Sequence, residues 1–385
     1  MEFEEIRPYH DEELPQVFEE LIADPAFQQV ACAVMPGVPF EAIAQKMRAS
    51  KTKQEFQENL CYGILHKLAK DTTDGLILES MAVLNKQSAY TYVSNHRDII
   101  LDSGFLSVLL VEQGLDTVEI AIGDNLLIYP WIKKLVRINK CFTVQRALTM
   151  RQMLESSIRM SRYMHYTITQ KKQSIWIAQR EGRAKDGIDT TEQGLLKMLD
   201  MSGTADFTTN FEELNIVPLS ISYEYEPCDI LKARERLISR TQKYVKGSRE
   251  DLISIMTGIE QQKGNIHLNI GSPLTHDEIE AASYCNKNDR YQAIRHAVDV
   301  RIIEGYKLWK TNYIGYDMVN HTFKYRDKYT PEDVAQFTDY VEHQLDKVEK
   351  SLCRADLRDI FLRIYANPVV SLENLMIERA AASRQ

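Results

Sequence analysis

Five short apolar runs between residues 88 and 225 restrict this chain more than anything else in it: AYTYVS, VEIAIG, CFTVQ, SIWIAQ and IVPLSISYE. Each is rich in β-branched and aromatic residues and too short for a buried helix, and amphipathic stretches of helical period separate them. Strands alternating with helices predict a sheet that carries helices on its faces. NIHLNIGSPL, at 265–274, adds a strand that ends in a Gly-Ser-Pro turn. THDEIEA then supplies a capping box, with Thr275 three residues before Glu278.

Both ends of the chain read as helical. In DPAFQQVACAVM, Asp24 is placed to cap a helix that begins with Pro25, and another helical run covers roughly 53 to 70. Toward the other end, Thr330 and Pro331 open TPEDVAQFTDYVEHQLDKVEKSL. There Val334, Phe337, Tyr340, Val341, Leu345 and Val348 recur at helical spacing. No repeat, low-complexity tract or Gly/Ser-rich linker interrupts the chain. The expected fold class is therefore α/β: a central mixed sheet flanked by helices, with helical N- and C-terminal additions. Residues 1–85 make the helical N-terminal region, 86–285 the α/β core and 286–385 the helical C-terminal region.

Composition removes several classes of function. A net charge of −8 over 385 residues leaves no global basic field, so a general nucleic-acid binder is not expected. None of the six cysteines falls in a C-x-x-C pair or beside a histidine at zinc-ligand spacing, so no metal site is expected and the thiols fit a reducing compartment. The acidic N-terminus has no apolar core of a signal peptide, and no window approaches eighteen consecutive apolar residues. A cytoplasmic protein, or one on the cytosolic face of a membrane, is the expectation.

Four stretches hold residues capable of chemistry. In YTYVSNHRDIILDSGFL a strand-like run collapses into Ser94, Asn95, His96, Arg97 and Asp98, before a helical pattern that contains Asp102 and Ser103. Open α/β sheets place their ligands at such strand-to-helix loops. A neutral imidazole there can take a proton near neutral pH, and a carboxylate can fix its tautomer. Read alone, the same residues describe a polar turn that caps the next helix. IGDNLLIYPWIKKLVRINKCFTVQR sets Trp131 beside Lys133 and Lys134, then delivers Arg146 from a strand. Trp and Lys suit a lipid interface, although a surface helix and a core strand share the pattern. SIWIAQREGRAKDG runs a strand into Arg180, Glu181, Gly182, Arg183, Lys185 and Gly187, which describes an anion-binding turn or a solvated loop. NIVPLSISYEYEP, with Pro218 near its start and Glu224 at its end, reads alone as a buried strand.

In this order the four blocks resemble the glycerolipid acyltransferase superfamily, of the glycerol-3-phosphate/1-acylglycerol-3-phosphate acyltransferase type. That family shows H-x4-D, a strand ending in arginine, E-G-x-R and an I-P-V-like strand. The resemblance spans roughly residues 85 to 230. Here five residues separate His96 from Asp102 rather than four, and EGR is one residue shorter than E-G-G-R.

The resemblance implies an O-acyltransferase of phospholipid biosynthesis. It would move a fatty acyl chain from acyl-CoA or acyl carrier protein to the hydroxyl of a glycerol-phosphate or lysophosphatidate-type acceptor. His96 is then the general base and Asp102 the carboxylate that orients it, while Asp98 caps the helix. Arg146, Glu181, Gly182, Arg183 and Lys185 are the implied substrate-binding residues, with Arg146, Arg183 and Lys185 on the acceptor phosphate. A thioester is already activated, so no metal or redox cofactor is implied. A membrane surface is a further implied partner, met peripherally through segment 126–135 at the inner face of the cytoplasmic membrane. The alternatives are the same chemistry on a lyso-aminolipid, a catalytically inactive lipid-binding relative, and a serine hydrolase using Ser94 or Ser103. The absence of a G-x-S-x-G elbow weakens the last.

Overall fold

The computed structural model describes residues 3–79, 84–146, 149–202, 205–247 and 249–383. Among them, seven strands form one mixed sheet. In chain order they are β1 (Gly75–Glu79), β2 (Thr91–Ser94), β3 (Glu119–Gly123), β4 (Cys141–Val144), β5 (Ile175–Ala178), β6 (Ile216–Tyr223) and β7 (Asn265–Ile270). Their spatial order is β1-β7-β6-β2-β5-β3-β4. Five of them, from β6 across to β4, run parallel to one another. β7 is antiparallel to β6, and β1 lies parallel to β7. The parallel strands therefore bring five carboxyl ends to a single edge of the sheet.

Helices cover both faces, which is why the strands read as near-continuous apolar runs. Successive side chains point to opposite faces. Tyr92 packs with Leu101, Phe105 and Leu109 of the helix Leu101–Glu112, whereas Val93 packs with Met160 and Met164 of the helix Met150–Thr169. β6 is buried at every position.

The sheet draws in residues on both sides of 86–285. β1 lies inside the stretch read as helical, because its register partner β7 is far away in sequence (Gly75 opposite Asn265) and five residues carry little pattern of their own. Beyond 285, the helix Asp289–Gly305 lies on the sheet, with Tyr291, Ile294, Val298 and Ile302 against Ile177 and Ile216. Separate apolar clusters hold the terminal helices. Phe18, Met47 and Phe56 centre the N-terminal cluster, and Phe337, Phe361 and Tyr365 centre the C-terminal one. The helix starts follow side-chain chemistry: Asp24 accepts from the N–H groups of Ala26 and Phe27, and Thr330 closes a capping box with Asp333.

A tight contact joins the C-terminal helix Arg354–Ala382 to the basic loop after β5. Pro368 inside that helix has no N–H, so the carbonyl of Ile364 loses its usual helical donor. Gly187, at φ +77°, packs against that carbonyl and the Pro368 ring, leaving no room for a β-carbon. Gly37 has a similar φ of +83° but open space around it. Gly37→Ala should therefore lose only the left-handed backbone preference, about 1–2 kcal/mol. Gly187→Ala should lose more, with the larger fall in melting temperature; equal falls would show that the contact with Ile364 tolerates a methyl group.

Candidate active site

β2 ends at Ser94, and the next four residues are held almost entirely by buried polar contacts. Asn95 behaves as an extra rung between β2 and β6. Its Nδ2 donates to the Ile221 carbonyl at 2.9 Å and its Oδ1 accepts the Ile221 N–H at 2.8 Å. The same Nδ2 donates to Asp189 at 3.0 Å. Arg97 is fully buried. Its guanidinium donates to Asp189, lies 3.4 Å from Glu226 Oε1 and sits over the Tyr306 ring at 5.2 Å. Lys232 Nζ donates to the Arg97 carbonyl at 2.7 Å and to Glu226 Oε1 at 2.6 Å. Two cations and two carboxylates thus balance in the interior; removing one alone would strand a buried charge. Burial pushes the Asp189 carboxyl up, and Arg97 pulls it partway back.

His96 is mostly buried, with Nδ1 2.9 Å from Asp102 Oδ2. Asp102 sits in the first turn of the helix Leu101–Glu112. Its Oδ2 also accepts the N–H groups of Arg97 at 2.6 Å and Asp98 at 3.0 Å, and its Oδ1 accepts the Tyr223 hydroxyl at 2.8 Å. Both oxygens of this buried carboxylate therefore have hydrogen-bond partners. A carboxylate facing Nδ1 favours the tautomer with the proton there and leaves the Nε2 lone pair open. Among the described residues Nε2 has no hydrogen-bond partner. The imidazole meets the Trp176 ring edge-on, with centroids 5.7 Å apart.

Asp98 has a different task. Its Oδ1 accepts the N–H groups of Ile100 and Leu101, each at 2.9 Å, and so starts the helix. Burial and the charge of Asp102 push its carboxyl up, against the pull of those two N–H groups and of Arg183. The additional residue between His96 and Asp102 lies in this capped turn. Neither serine is partnered with the imidazole: Ser94 Oγ donates to the Asn95 carbonyl at 2.6 Å, and Ser103 Oγ to that of Ile100 at 3.4 Å.

The basic loop leaves the end of β5 and returns alongside the histidine. Ala184 N–H donates to the His96 carbonyl at 2.8 Å, and Gly182 turns the chain at φ +72°. Arg146, beyond β4, reaches the same loop, with Nη1 3.2 Å from Glu181 Oε1. Its backbone N–H is held by Asp124 at 3.1 Å, and its guanidinium rests against Gly123 where a side chain would collide with it. Arg183 Nη1 is buried without a partner, and so is Nε of Arg180. Lys185 departs from the expectation. It is ion-paired with Glu235 of the helix Asp229–Ser239, fifty residues downstream and invisible to a local reading. Trp131 also differs from the lipid-facing residue expected. It leans on the N-terminal helices, its ring 6.3 Å from that of Phe27, and the exposed apolar residues of segment 126–135 are Ile128 and Tyr129.

Asn95 and Tyr223 are not singled out as site residues from sequence, and Arg180 only as one cation of the anion-binding turn. Tyr223 could have been: Val217, Leu219, Ile221 and Tyr223 alternate onto the face that meets the helix of Asp102. For Arg97 no local signal exists, since its partners lie roughly 90 to 130 residues away.

The His–Asp pair and the adjoining basic loop thus lie together at the carboxyl edge of the sheet. Residues 77–222 match the family model described as Acyltransferase, and that match supports an acyltransferase. A solved structure, the 1-acyl-sn-glycerophosphate (LPA) acyltransferase PlsC from Thermotoga maritima, is similar at 12% identity and a TM-score of 0.41, over 77% of this chain and 97% of that one. No curated protein matches the chain.

Tyr223→Phe removes one donor from a buried carboxylate and changes little else. Hydrogen bonds to charged groups contribute about 1.5–3 kcal/mol, so melting should shift by the equivalent of that range. Turnover should fall about tenfold, roughly 1.4 kcal/mol of barrier. A variant that melts lower but turns over at the wild-type rate would confine Tyr223 to a structural role.

Proposed function

We propose that the protein transfers a fatty acyl group from the thioester of acyl-CoA or acyl carrier protein to the hydroxyl of a phosphorylated glycerolipid acceptor, glycerol phosphate or a lysophosphatidate-type lipid. Nε2 of His96 takes the hydroxyl proton as the oxygen attacks the thioester carbonyl. Asp102 holds the imidazolium that forms. Collapse of the tetrahedral intermediate breaks the C–S bond, and the imidazolium returns its proton to the departing thiolate. The new ester and a free thiol result, with no acyl-enzyme.

The observation that carries the acceptor assignment is the pair of buried guanidinium nitrogens without partners, Arg180 Nε and Arg183 Nη1, on the loop that bonds the His96 carbonyl. Buried donors of this kind call for an acceptor, and arginine's fork suits phosphate. Arg146, already beside Glu181, completes the ring of cations. A lyso-aminolipid is the second reading. With Lys185 held by Glu235 and Arg146 by Glu181, fewer free cations face the acceptor than the motif suggested. Acyl chains on acceptor and product favour work at a membrane surface. No helix of the described residues is long and apolar enough to cross one.

A product assay decides between the acceptors. Purified protein with an acyl thioester should acylate a phosphorylated acceptor, and His96→Ala should lower that rate by about 10²–10⁴-fold or more. A near-wild-type rate in this variant would end the mechanism. Arg180→Ala and Arg183→Ala should each weaken use of the phosphorylated acceptor by about 1.5–3 kcal/mol and spare an acceptor without phosphate. Equal damage on both acceptors would make these arginines structural.

A further inference from the structure

The helix Glu250–Glu260 has its faces reversed. Its buried positions are Ser254 and Gly258, small residues one turn apart. Of its five large apolar side chains, Leu252, Ile253 and Met256 point outward, 40%, 52% and 46% exposed, and Ile255 and Ile259 are half-buried. The inward face is fixed by the active site: Gly258 lies against the Asp98 carboxylate, where a β-carbon would collide, and the Ser254 carbonyl accepts from Cys228 Sγ at 3.1 Å. A helix whose fully buried positions are small and whose exposed positions include three large apolar residues has the sidedness of one that meets an apolar phase.

Its surroundings extend the same surface. Val245, just ahead of the helix, is 81% exposed. Asn125 Nδ2 reaches Asp251 at 3.4 Å and ties the helix to the loop that exposes Ile128 and Tyr129. Between residues 241 and 249 the chain carries Lys243, Lys246 and Arg249, all exposed, and no acid. The acids that follow are engaged: Asp251 pairs with Lys246, and Glu250 accepts from the Tyr244 hydroxyl. With Lys246 paired to Asp251, Lys243 and Arg249 leave a local basic rim beside the apolar ridge on a chain of net charge −8.

We infer that residues 243–247 and 249–256, with Ile128 and Tyr129, form the surface by which the protein docks on a membrane that carries anionic lipid. The inference deepens the proposed reaction, in which an acylated lipid passes between the site and a bilayer. Apolar residues enter the acyl boundary while flanking cations meet anionic headgroups. Because Gly258 touches the turn that starts the Asp102 helix, the docked element lies directly against the catalytic loop.

Vesicle sedimentation of the full chain tests this without reference to catalysis. Wild-type protein should sediment with phosphatidylglycerol-containing vesicles and much less with pure phosphatidylcholine. Lys243→Glu and Arg249→Glu should each weaken binding about fivefold or more, the equivalent of roughly 1 kcal/mol per cation. Ile253→Ser with Met256→Ser should weaken it at least tenfold, with melting unchanged. Activity on water-soluble glycerol 3-phosphate should survive in these variants while activity on a vesicle-embedded lysolipid falls. Unchanged vesicle binding in the apolar double variant would overturn the proposal. So would a wild-type dimer that this variant converts to monomer, since a second copy would then cover the ridge. Loss confined to acyl carrier protein as donor would overturn it in favour of an acidic protein partner. Failure of the proposed acyl transfer would appear separately, as absence of product with vesicle binding intact.

Discussion

One carboxylate organises the carboxyl edge of this sheet. Asp102 accepts from the loop that follows β2, through the N–H groups of Arg97 and Asp98, and from β6 through Tyr223, while its Oδ2 faces Nδ1 of His96. Each contact comes from a different piece of local geometry. The two N–H groups point inward because Asp98 caps the helix start, and Tyr223 arrives because alternate residues of β6 face that helix. A carboxylate facing Nδ1 favours the proton there and leaves the Nε2 lone pair open. Displacing any one group loosens the others.

Behind that carboxylate, buried charge fixes the loop's path. Arg97 and Lys232 meet Asp189 and Glu226, bringing together the segments after β2, β5 and β6. The C-terminal helices close this assembly. Glu226 N–H donates to the Tyr365 hydroxyl at 3.0 Å, and Asp229 Oδ2 accepts from Tyr340 and Tyr365, each at 2.6 Å. Burial pushes the Asp229 carboxyl up to about 6. Asn367 donates to the Asp186 carbonyl at 2.6 Å and pins the far end of the basic loop. The helical addition therefore bears on the site from behind, through the loop that carries Arg183.

Sequence and structure agree where pattern is local. Five strands are visible because parallel strands buried on both faces must be apolar throughout, β7 because its apolar run ends in a Gly-Ser-Pro turn, and the Asp24, Thr275 and Thr330 caps because capping needs particular side chains at fixed offsets. The choice of Asp102 over Asp98 to face His96 rested on the same kind of reasoning: two residues suit a cap, and six allow the chain to fold back. What lay outside local pattern was not legible. β1 acquires its meaning from β7, and Arg97 reads as one more charge in a polar turn until residues 189, 226 and 232 surround it. Lys185 looked like a phosphate ligand because nothing nearby in sequence reveals Glu235. The outward apolar face of the helix Glu250–Glu260 has no local signal either, because its inward face is set by Gly258 against Asp98, far away in sequence.

The central claim is that Asp102 holds His96 with its proton on Nδ1 and Nε2 open to the acceptor hydroxyl. Nitrogen-15 NMR of the histidine side chains tests this most directly, with the His96 signals identified by their loss in His96→Asn. The neutral ring should show a protonated Nδ1 and an unprotonated Nε2, and Asp102→Asn should abolish that preference. A neutral ring carrying its proton on Nε2, or one unaffected by Asp102→Asn, would contradict the account.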